Sequence, residues 1–451
     1  MLAACNFRKI RGQNDLDAHE YSSTGVSVTA ANITIIGTGY VGLVTGAGFA
    51  ELGHNVTCVD IDQRKIDLLQ KGEIPIFEDG LAELVVRNMR AGRLQFQVGQ
   101  DDLSLANQYF YLCVPTPQGP DGAADLRYLE EAVLSIGPLV PTDAIIVNKS
   151  TVPVGSTVFV EQHINRRDVH VVSNPEFLRE GSAVQDFMHP DRIVIGGDDQ
   201  AACVRVESLY LELGANILIT DAASAELIKY ASNAFLATKL SFINAIAAVC
   251  EGVGADVDKV RLGMGYDSRI GLDFLHPGPG WGGSCFPKDT QAMLRIAEDA
   301  GYDFELLRSA ITSNNDQFER VVNKLRHAVG GDLQGARIGM LGLSFKAGTD
   351  DTRMSPALAV AKRLLNEGAT VVAYDPVAVV LAEGIEQVMD PYAVFDNADV
   401  GIVMTEWPEF KWLDLHKAAA LMRGHAIVDT RGVLELGGVA QAGLSLVAVG
   451  R

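Results

Sequence analysis

Short β-branched and apolar runs alternate with longer stretches of helical period through the first half of the chain. "NITII" (32–36) is followed at once by "GTGYVG", by a helix-like stretch "YVGLVTGAGFAELG", and by the apolar run "NVTCVD", which closes on Asp60. Further strand-like runs are "QYFYLCVP", "DAIIVNKS", "VHVVSNPE" and "RIVIGG", with helical stretches between most of them. Alternation of this kind predicts a parallel sheet with helices on both faces, because parallel strands need crossover connections.

The pattern changes near Thr220. "TDAASAELIKYASNAFLATKLSFINAIAAVCEG" (220–252) holds no Gly or Pro before Gly252. Thr220 or Asp221 can cap its start and Gly252 can end it. About 30 helical residues span about 45 Å, enough to bridge two domains. "DVDKVRLGMG", "PKDTQAMLRIAEDAG" and "FELLRSAITSNNDQFERVVNKLRHAVGG" add further helices. At 336 the strand–helix alternation resumes: "ARIGMLGLSF" reads as a strand, "SPALAVAKRLLNEG" as a helix, and "TVVAYDP" as a strand closing on Asp375. "DVGIVMTEW" and "HAIVDTRG" supply later strands. This repeats the plan of 32–60, with a longer turn, "KAGTDDTRM", in place of the glycines. The expected layout is a poorly ordered extension over 1–30, an α/β domain over 31–220, a helical centre over 221–330 and a second α/β domain over 331–451.

"GTGYVG" fits G-x-G-x-x-G at Gly37, Gly39 and Gly42. The pattern gains meaning from its place, after a strand, opening a helix, and answered by Asp60 at the end of the next strand. Gly37 allows a tight turn, Gly39 lets the backbone approach a pyrophosphate at the helix N-terminus, Gly42 permits close helix–strand packing, and Asp60 accepts hydrogen bonds from a ribose. The carboxylate favours NAD over NADP by repelling a 2′-phosphate. Arg64 and Lys65 lie close by; either attracts a phosphate or simply opens the next helix in solvent.

Composition narrows the partners. The chain has 451 residues, 48% of them hydrophobic, enough for several cores. Its 37 basic and 57 acidic residues leave a formal net charge of −20. So negative a field disfavours nucleic acid and anionic membrane, and neither is expected as a partner. No run of roughly 18 apolar residues reads as membrane-spanning. The six cysteines show no metal-ligand or CxxC spacing, no metal site is expected, and a reduced cytoplasmic protein is the default.

Five of the six cysteines are unremarkable in context. Cys58, Cys113, Cys203 and Cys250 sit in apolar or helical runs and read as small core hydrophobes, and Cys5 lies in the extension. Cys285 differs. It stands in "GPGWGGSCFPKD" (278–289), among four glycines and two prolines. A helix starting near Pro287 aims its dipole at the sulfur, and Lys288 is near; both lower a thiol pKa. The bland alternative is a loop that needs glycine for turning and tolerates a cysteine. A dinucleotide beside a nucleophilic thiol suggests oxidation of an aldehyde through a thioester. Lys229 and Asn233, four apart in an apolar stretch, share one helix face and are candidate donors to an oxyanion. A snorkelling lysine and a structural asparagine explain them equally well. Asp289 is a candidate partner of Lys229 or a base, or else an ordinary first-turn acid.

These stretches, with "VPTP", "GAADL", "KSTVPVGST", "NPEFLREGSAVQDFMHPDRIVIG", "FLHPGPGWGGSCFPKD", "GLSFKAGTDDTRMSPA" and "DTRG", occur in an order that resembles the UDP-glucose/GDP-mannose dehydrogenase family over about residues 32–451. The family oxidises a sugar nucleotide twice at one carbon. The resemblance implies two Rossmann-like doubly wound domains joined by a long central helix and a helical dimerisation region, with NAD as cofactor. It implies UDP-glucose as substrate, with GDP-mannose or a UDP-N-acetylhexosamine as alternatives. Cys285 is then the nucleophile, with Lys229, Asn233 and Asp289 around the reacting carbon and Thr151 and Glu176 handling water. Gly37, Gly39, Tyr40, Val41, Gly42, Asp60, Lys65, Thr116, Thr151, Glu180 and Arg353 would line the NAD site. Glu176, Phe177, Leu178, Glu180, Lys229, Asn233, Phe274, His276, Gly282, Phe345, Lys346 and Arg431 would meet the sugar nucleotide. Arg269 would reach the substrate of a neighbouring subunit, so a homodimer is expected. Trp281 stands where the family more often has Tyr or Phe. A β-hydroxyacid dehydrogenase of similar build, which needs no cysteine, is the alternative class, and a non-catalytic NAD-binding regulator is a third.

Overall fold

The computed structural model describes residues 30–99, 106–119 and 124–451. The expected extension over 1–30 falls outside them but for Ala30. Two sheets carry the architecture. The first contains β1 (Asn32–Ile36), β2 (Asn55–Asp60), β3 (Leu94–Val98), β4 (Tyr109–Leu112), β5 (Ile145–Asn148), β6 (His170–Ser173), β7 (Arg192–Gly196) and β8 (Asn216–Thr220), in the order β3-β2-β1-β4-β5-β6-β7-β8. The second contains β9 (Arg337–Leu341), β10 (Thr370–Tyr374), β11 (Ile385–Gln387), β12 (Val400–Val403), β13 (Ala426–Asp429) and β14 (Ser445–Ala448), in the order β11-β10-β9-β12-β13-β14, all parallel. In each sheet the strand order reverses once, between β1 and β4 and between β9 and β12. Such switch points open a crevice at the carboxyl ends of the strands.

The first sheet departs from the expected all-parallel pattern. β7 runs antiparallel to β6, with Ser173 opposite Gly196, and β8 follows β7. The connection from β6 to β7 carries only a six-residue helix, Ala183–Met188. Its Phe187 packs edge-on against Phe49 of the helix Tyr40–Glu51. No crossover helix returns the chain to the far end of the sheet, so β7 re-enters from the near end.

Both faces of the first sheet are apolar. Ile33, Ile35 and Tyr111 meet one helical layer, while Phe110, Ile146 and Val160 form a core with the other. The central helix runs Ala222–Val253, 32 residues or about 48 Å. The Asp221 carboxylate caps it by accepting the Ser224 N–H at 2.8 Å. The helix passes through Gly252 and ends at Gly254, which takes the left-handed conformation at φ 71°. By length and composition it alone among the described residues is apolar enough to cross a membrane. Here it packs against the helices Phe286–Asp299 and Glu305–Ala328 and buries Glu226, Lys229 and Asn233.

Candidate active site

The first switch point carries the glycine turn. A Cβ at Gly42 would lie 1.9 Å from the Gly37 carbonyl oxygen, so this close approach of helix to strand admits only glycine. A Cβ at Gly39 would meet nothing within 4 Å. The fold makes no demand on Gly39, and the space beside it suits a pyrophosphate at the helix N-terminus. Asp60 Oδ2 accepts the Thr38 N–H at 2.8 Å and the Thr38 hydroxyl at 2.7 Å, while Oδ1 accepts the Asp62 N–H at 3.0 Å. Burial pushes this carboxyl up, but those bonds and the nearby Lys65 ammonium outweigh it and hold it below its ordinary range. Lys65 sits 3.8 Å from Asp60, whereas Arg64 points into solvent. The residues present therefore fit a dinucleotide. The Tyr40 hydroxyl donates to Glu78, which also accepts the Gly181 and Ala183 N–H groups at 2.6 and 2.7 Å. Thr116 donates to the Thr151 carbonyl at 2.6 Å.

A cavity of about 710 Å³ lies between the two α/β domains, beside the central helix. Phe177, Leu178, Glu180, Lys229, Asn233 and Cys285 line it from the first domain and the centre, with Phe274, His276 and Gly282 on the cysteine loop and Phe345, Lys346 and Arg431 from the second domain. Lys229 Nζ donates to Glu176 Oε1 at 2.9 Å, both groups being almost wholly buried. Glu176 Oε2 accepts the Leu178 N–H at 2.6 Å. Burial opposes both charges. The Lys229 ammonium nevertheless holds Glu176 below its usual range, and Glu176, Cys285 and Asp289 hold Lys229 above its own.

Asp289 is fully buried beneath the cavity. It accepts from Asn233 Nδ2 at 2.6 Å and pairs with Lys288 at 2.5 Å, not with Lys229. This corrects the local reading of the thiol. Lys288 is occupied by Asp289, and burial pushes Cys285 up; Lys229 opposes that, while Glu176 and Asp289 add to it. In the free protein the thiol therefore sits above its ordinary range. Cys285 occupies the position just before the helix Phe286–Asp299, which starts one residue earlier than expected, and makes no side-chain cap hydrogen bond; its sulfur lies 3.6 Å from the Ser284 hydroxyl.

The second domain closes the cavity at two points. A Cβ at Gly282 would stand 2.0 Å from the Met354 carbonyl oxygen, so the cysteine loop and this domain touch through bare backbone. Glu180 accepts from Ser284 at 2.7 Å and lies 3.4 Å from Arg353, which is bound to Asp351 at 2.7 Å. Arg431 donates to the carbonyls of Met404 and Phe345 at 3.0 Å each. Arg269 stands apart from the cavity, exposed and bonded to its own Asp267 at 2.6 Å.

The sequence pattern missed the groups that hold the cysteine loop. Asn314 accepts the Trp281 N–H at 2.7 Å and donates to its carbonyl at 3.0 Å. Ser241 accepts the Trp281 indole N–H at 2.9 Å, so this tryptophan faces the central helix. Asn244 accepts the Gly278 N–H and Gln317 donates to its carbonyl, both at 2.8 Å. Polar residues three apart on apolar helix faces, 241 with 244 and 314 with 317, were the available signal. Glu226, one turn before Lys229, accepts the Gly155 and Thr157 N–H groups at 2.7 and 2.8 Å, fastening the segment after Thr151.

A dinucleotide turn at one switch point, with a thiol and a lysine–carboxylate cluster in a cleft closed by a second domain of the same build, defines a two-domain nicotinamide-dependent dehydrogenase. The chain matches the NAD binding domain of the UDP-glucose/GDP-mannose dehydrogenase family over residues 31–214, its central domain over 223–316 and its UDP binding domain over 339–436. It belongs to that family, and NAD is its cofactor. It is 46% identical over 429 residues to the UDP-glucose 6-dehydrogenase TuaD of Bacillus subtilis (strain 168), covering 93% of each chain. It is 45% identical to the UDP-glucose 6-dehydrogenase of Rhizobium meliloti (strain 1021), covering 93% of this chain and 99% of that one. A solved UDP-glucose dehydrogenase from Pyrobaculum islandicum aligns with TM-score 0.86 at 36% identity, over 95% of this chain and 100% of the other.

Proposed function

We propose that this chain oxidises UDP-glucose at C6 to UDP-glucuronate, reducing two NAD per turnover, with Cys285 as the covalent nucleophile. The carrying observation is that Cys285, Lys229 and Asn233 share one cavity wall, with Asp289 buried beneath it. The choice of sugar rests on relatives: the UDP-glucose enzymes named above share 36–46% identity, against 28% for a UDP-N-acetylmannosamine dehydrogenase from Pyrococcus horikoshii whose fold matches almost as well, at TM-score 0.84. Gly37, Gly39 and Gly42, with Asp60 at the ribose, would hold NAD, which would supply the hydride acceptor for the carbon being oxidised.

The residues divide the remaining work. The alcohol proton leaves through Lys229 or through a water on Asp289; the charge that Glu176 keeps on Lys229 favours the water. The Cys285 thiol passes its proton to a water as its sulfur attacks the aldehyde carbon and forms a thiohemiacetal. Its oxyanion is met by the Lys229 ammonium and the Asn233 amide. Loss of the second hydride leaves a thioester. A water oriented by Thr151 and Glu176 attacks the thioester carbon and gives its proton to Glu176, and the Cys285 thiolate departs. Tyr40, Val41, Lys65, Thr116 and Arg353 complete the cofactor site in this reading. Lys346 and Arg431 give the anionic diphosphate a locally basic wall despite the acidic surface.

The same reading includes a homodimer in which Arg269 reaches the neighbouring substrate. Exposed Phe235, Phe242 and Val249, seven apart on the central helix, support a covered face there. Light scattering should return twice the chain mass of 48.3 kDa. The test of function is NADH formed per mole of UDP-glucose, GDP-mannose and UDP-N-acetylmannosamine, each offered alone. Two from UDP-glucose only is the expected result; one or none overturns the four-electron reaction. Cys285→Ser should abolish acid formation, and acid made at the parent rate would end the thioester route.

A further inference from the structure

Lys149 follows β5 directly, and its ammonium lies buried in the wall of the same cavity. Nζ donates to Asn174 Oδ1 at 3.0 Å. That oxygen also accepts the Tyr210 hydroxyl at 2.6 Å, and Asn174 Nδ2 donates to the Val194 carbonyl at 2.7 Å. Asn174 is thereby fixed and holds the ammonium in one place. A buried cation with a neutral partner needs an anion nearby. The charged and titratable groups facing Lys149 are Glu176, Lys229 and Cys113, with the Tyr210 ring 5.7 Å away. Burial pushes Cys113 up to about 12, so it is a neutral thiol. Glu176 is the anion: Lys229 is bonded to it at 2.9 Å, and the Lys149 ammonium also acts on its charge. Burial pulls Lys149 down to about 8, while Glu176 props it up and Lys229 opposes it.

Charge counting shows what the second ammonium adds. The pairs Lys229–Glu176 and Lys288–Asp289 are each neutral. Lys149 makes the buried cluster one positive. Ionising Cys285, or forming an oxyanion beside it, then brings the cluster to neutrality; without Lys149 the same event leaves an uncompensated buried negative charge.

We propose that Lys149 is a positioning residue for the oxidation: its charge balances Glu176, leaving the charge of Lys229 to meet the anion formed at Cys285. The proposal rests on the reading of Cys285 as nucleophile. Lys149→Gln tests it, because the amide can still donate to Asn174 while the charge is gone. The readout is the pH dependence of Cys285 alkylation by iodoacetamide in the intact protein, followed on the Cys285 peptide by mass spectrometry. Below about pH 8, where Lys149 is charged, loss of the cation should slow alkylation about tenfold, and the difference should close above that pH as the parent's Lys149 loses its proton. In turnover, kcat should fall while KM for UDP-glucose stays near the parent value. An alkylation rate equal to the parent's below pH 8 overturns the proposal, even if melting temperature and activity both drop. If the Gln variant does not fold, Lys149→Met is read the same way. The alkylation rate does not depend on turnover, so its failure is distinct from that of the thioester reading, which Cys285→Ser decides.

Discussion

Gly39→Ala separates what the fold requires from what the cofactor requires. Gly39 has φ −70° and ψ −172°, extended backbone that alanine adopts freely. Its added Cβ meets no protein atom within 4 Å. In the free protein the substitution removes only unfolded-state freedom and should stabilise by about 0.4–1 kcal/mol. Against a bound dinucleotide the same methyl occupies the space through which the backbone approaches the pyrophosphate. One extra methyl in a close-packed contact costs about 1–3 kcal/mol, or roughly 5- to 150-fold in affinity. Gly42→Ala is the contrast, since its Cβ falls 1.9 Å from the Gly37 carbonyl oxygen and the clash lies within the protein. The assay is a calorimetric NADH titration paired with a thermal melt. Gly39→Ala should bind NADH more weakly with melting unchanged or raised, and Gly42→Ala should melt at a lower temperature. NADH affinity within twofold of the parent for Gly39→Ala would refute the approach of the pyrophosphate at this residue. A marked fall in its melting temperature would refute the claim that the fold makes no use of the glycine.

The strands visible as apolar runs are the ones buried on both faces. The four that escaped, β3, β8, β11 and β14, are the outer strands of the two sheets. Their burial patterns are mixed, as in β8, where no residue is fully buried. An outer strand has a neighbour on one side only, and its side chains give no clean period. The reversal of β7 was equally hidden, because direction depends on whether the connection crosses the sheet. The end of the central helix was misplaced by two residues because Gly252 and Gly254 both punctuate, and only the backbone conformation chooses Gly254. In the cavity, Cys285, Lys229 and Asn233 were legible because each is odd in its local company. Lys149, Glu226 and Asn314 were not: a lysine after a strand, an acid in a helix and an asparagine among polar neighbours look ordinary until the fold buries them. The thiol was misjudged for a related reason. Lys288 is its sequence neighbour, but burial acts on the sulfur most strongly, and of the charges that reach it Lys229 opposes burial while Glu176 and Asp289 reinforce it.

Asn314→Ala strips the Trp281 N–H and carbonyl of their partners at a buried site, at about 1–3 kcal/mol for each group left unpaired. A lower urea midpoint and a lower kcat are expected; a variant equal to the parent in both would mean that the cysteine loop is held without it. Glu180→Gln tests the cleft. Burial, then the charge of Asp351, push Glu180 up to about 7. The folded state therefore keeps a proton that the unfolded chain releases above about 4.3. The stability this contributes is complete below the unfolded value and is lost as pH rises through about 7. The loss falls on a contact between domains, for Gly181 approaches Gly348 so closely that a Cβ would lie 2.5 Å from its carbonyl oxygen. Glutamine keeps an acceptor for Ser284 and cannot ionise. The melting temperatures of parent and variant should lie close together near pH 5 and part toward pH 8, with the variant higher. Melting curves that stay parallel across that range would mean that Glu180 ionises as an ordinary carboxylate and places no pH limit on closure of the cleft.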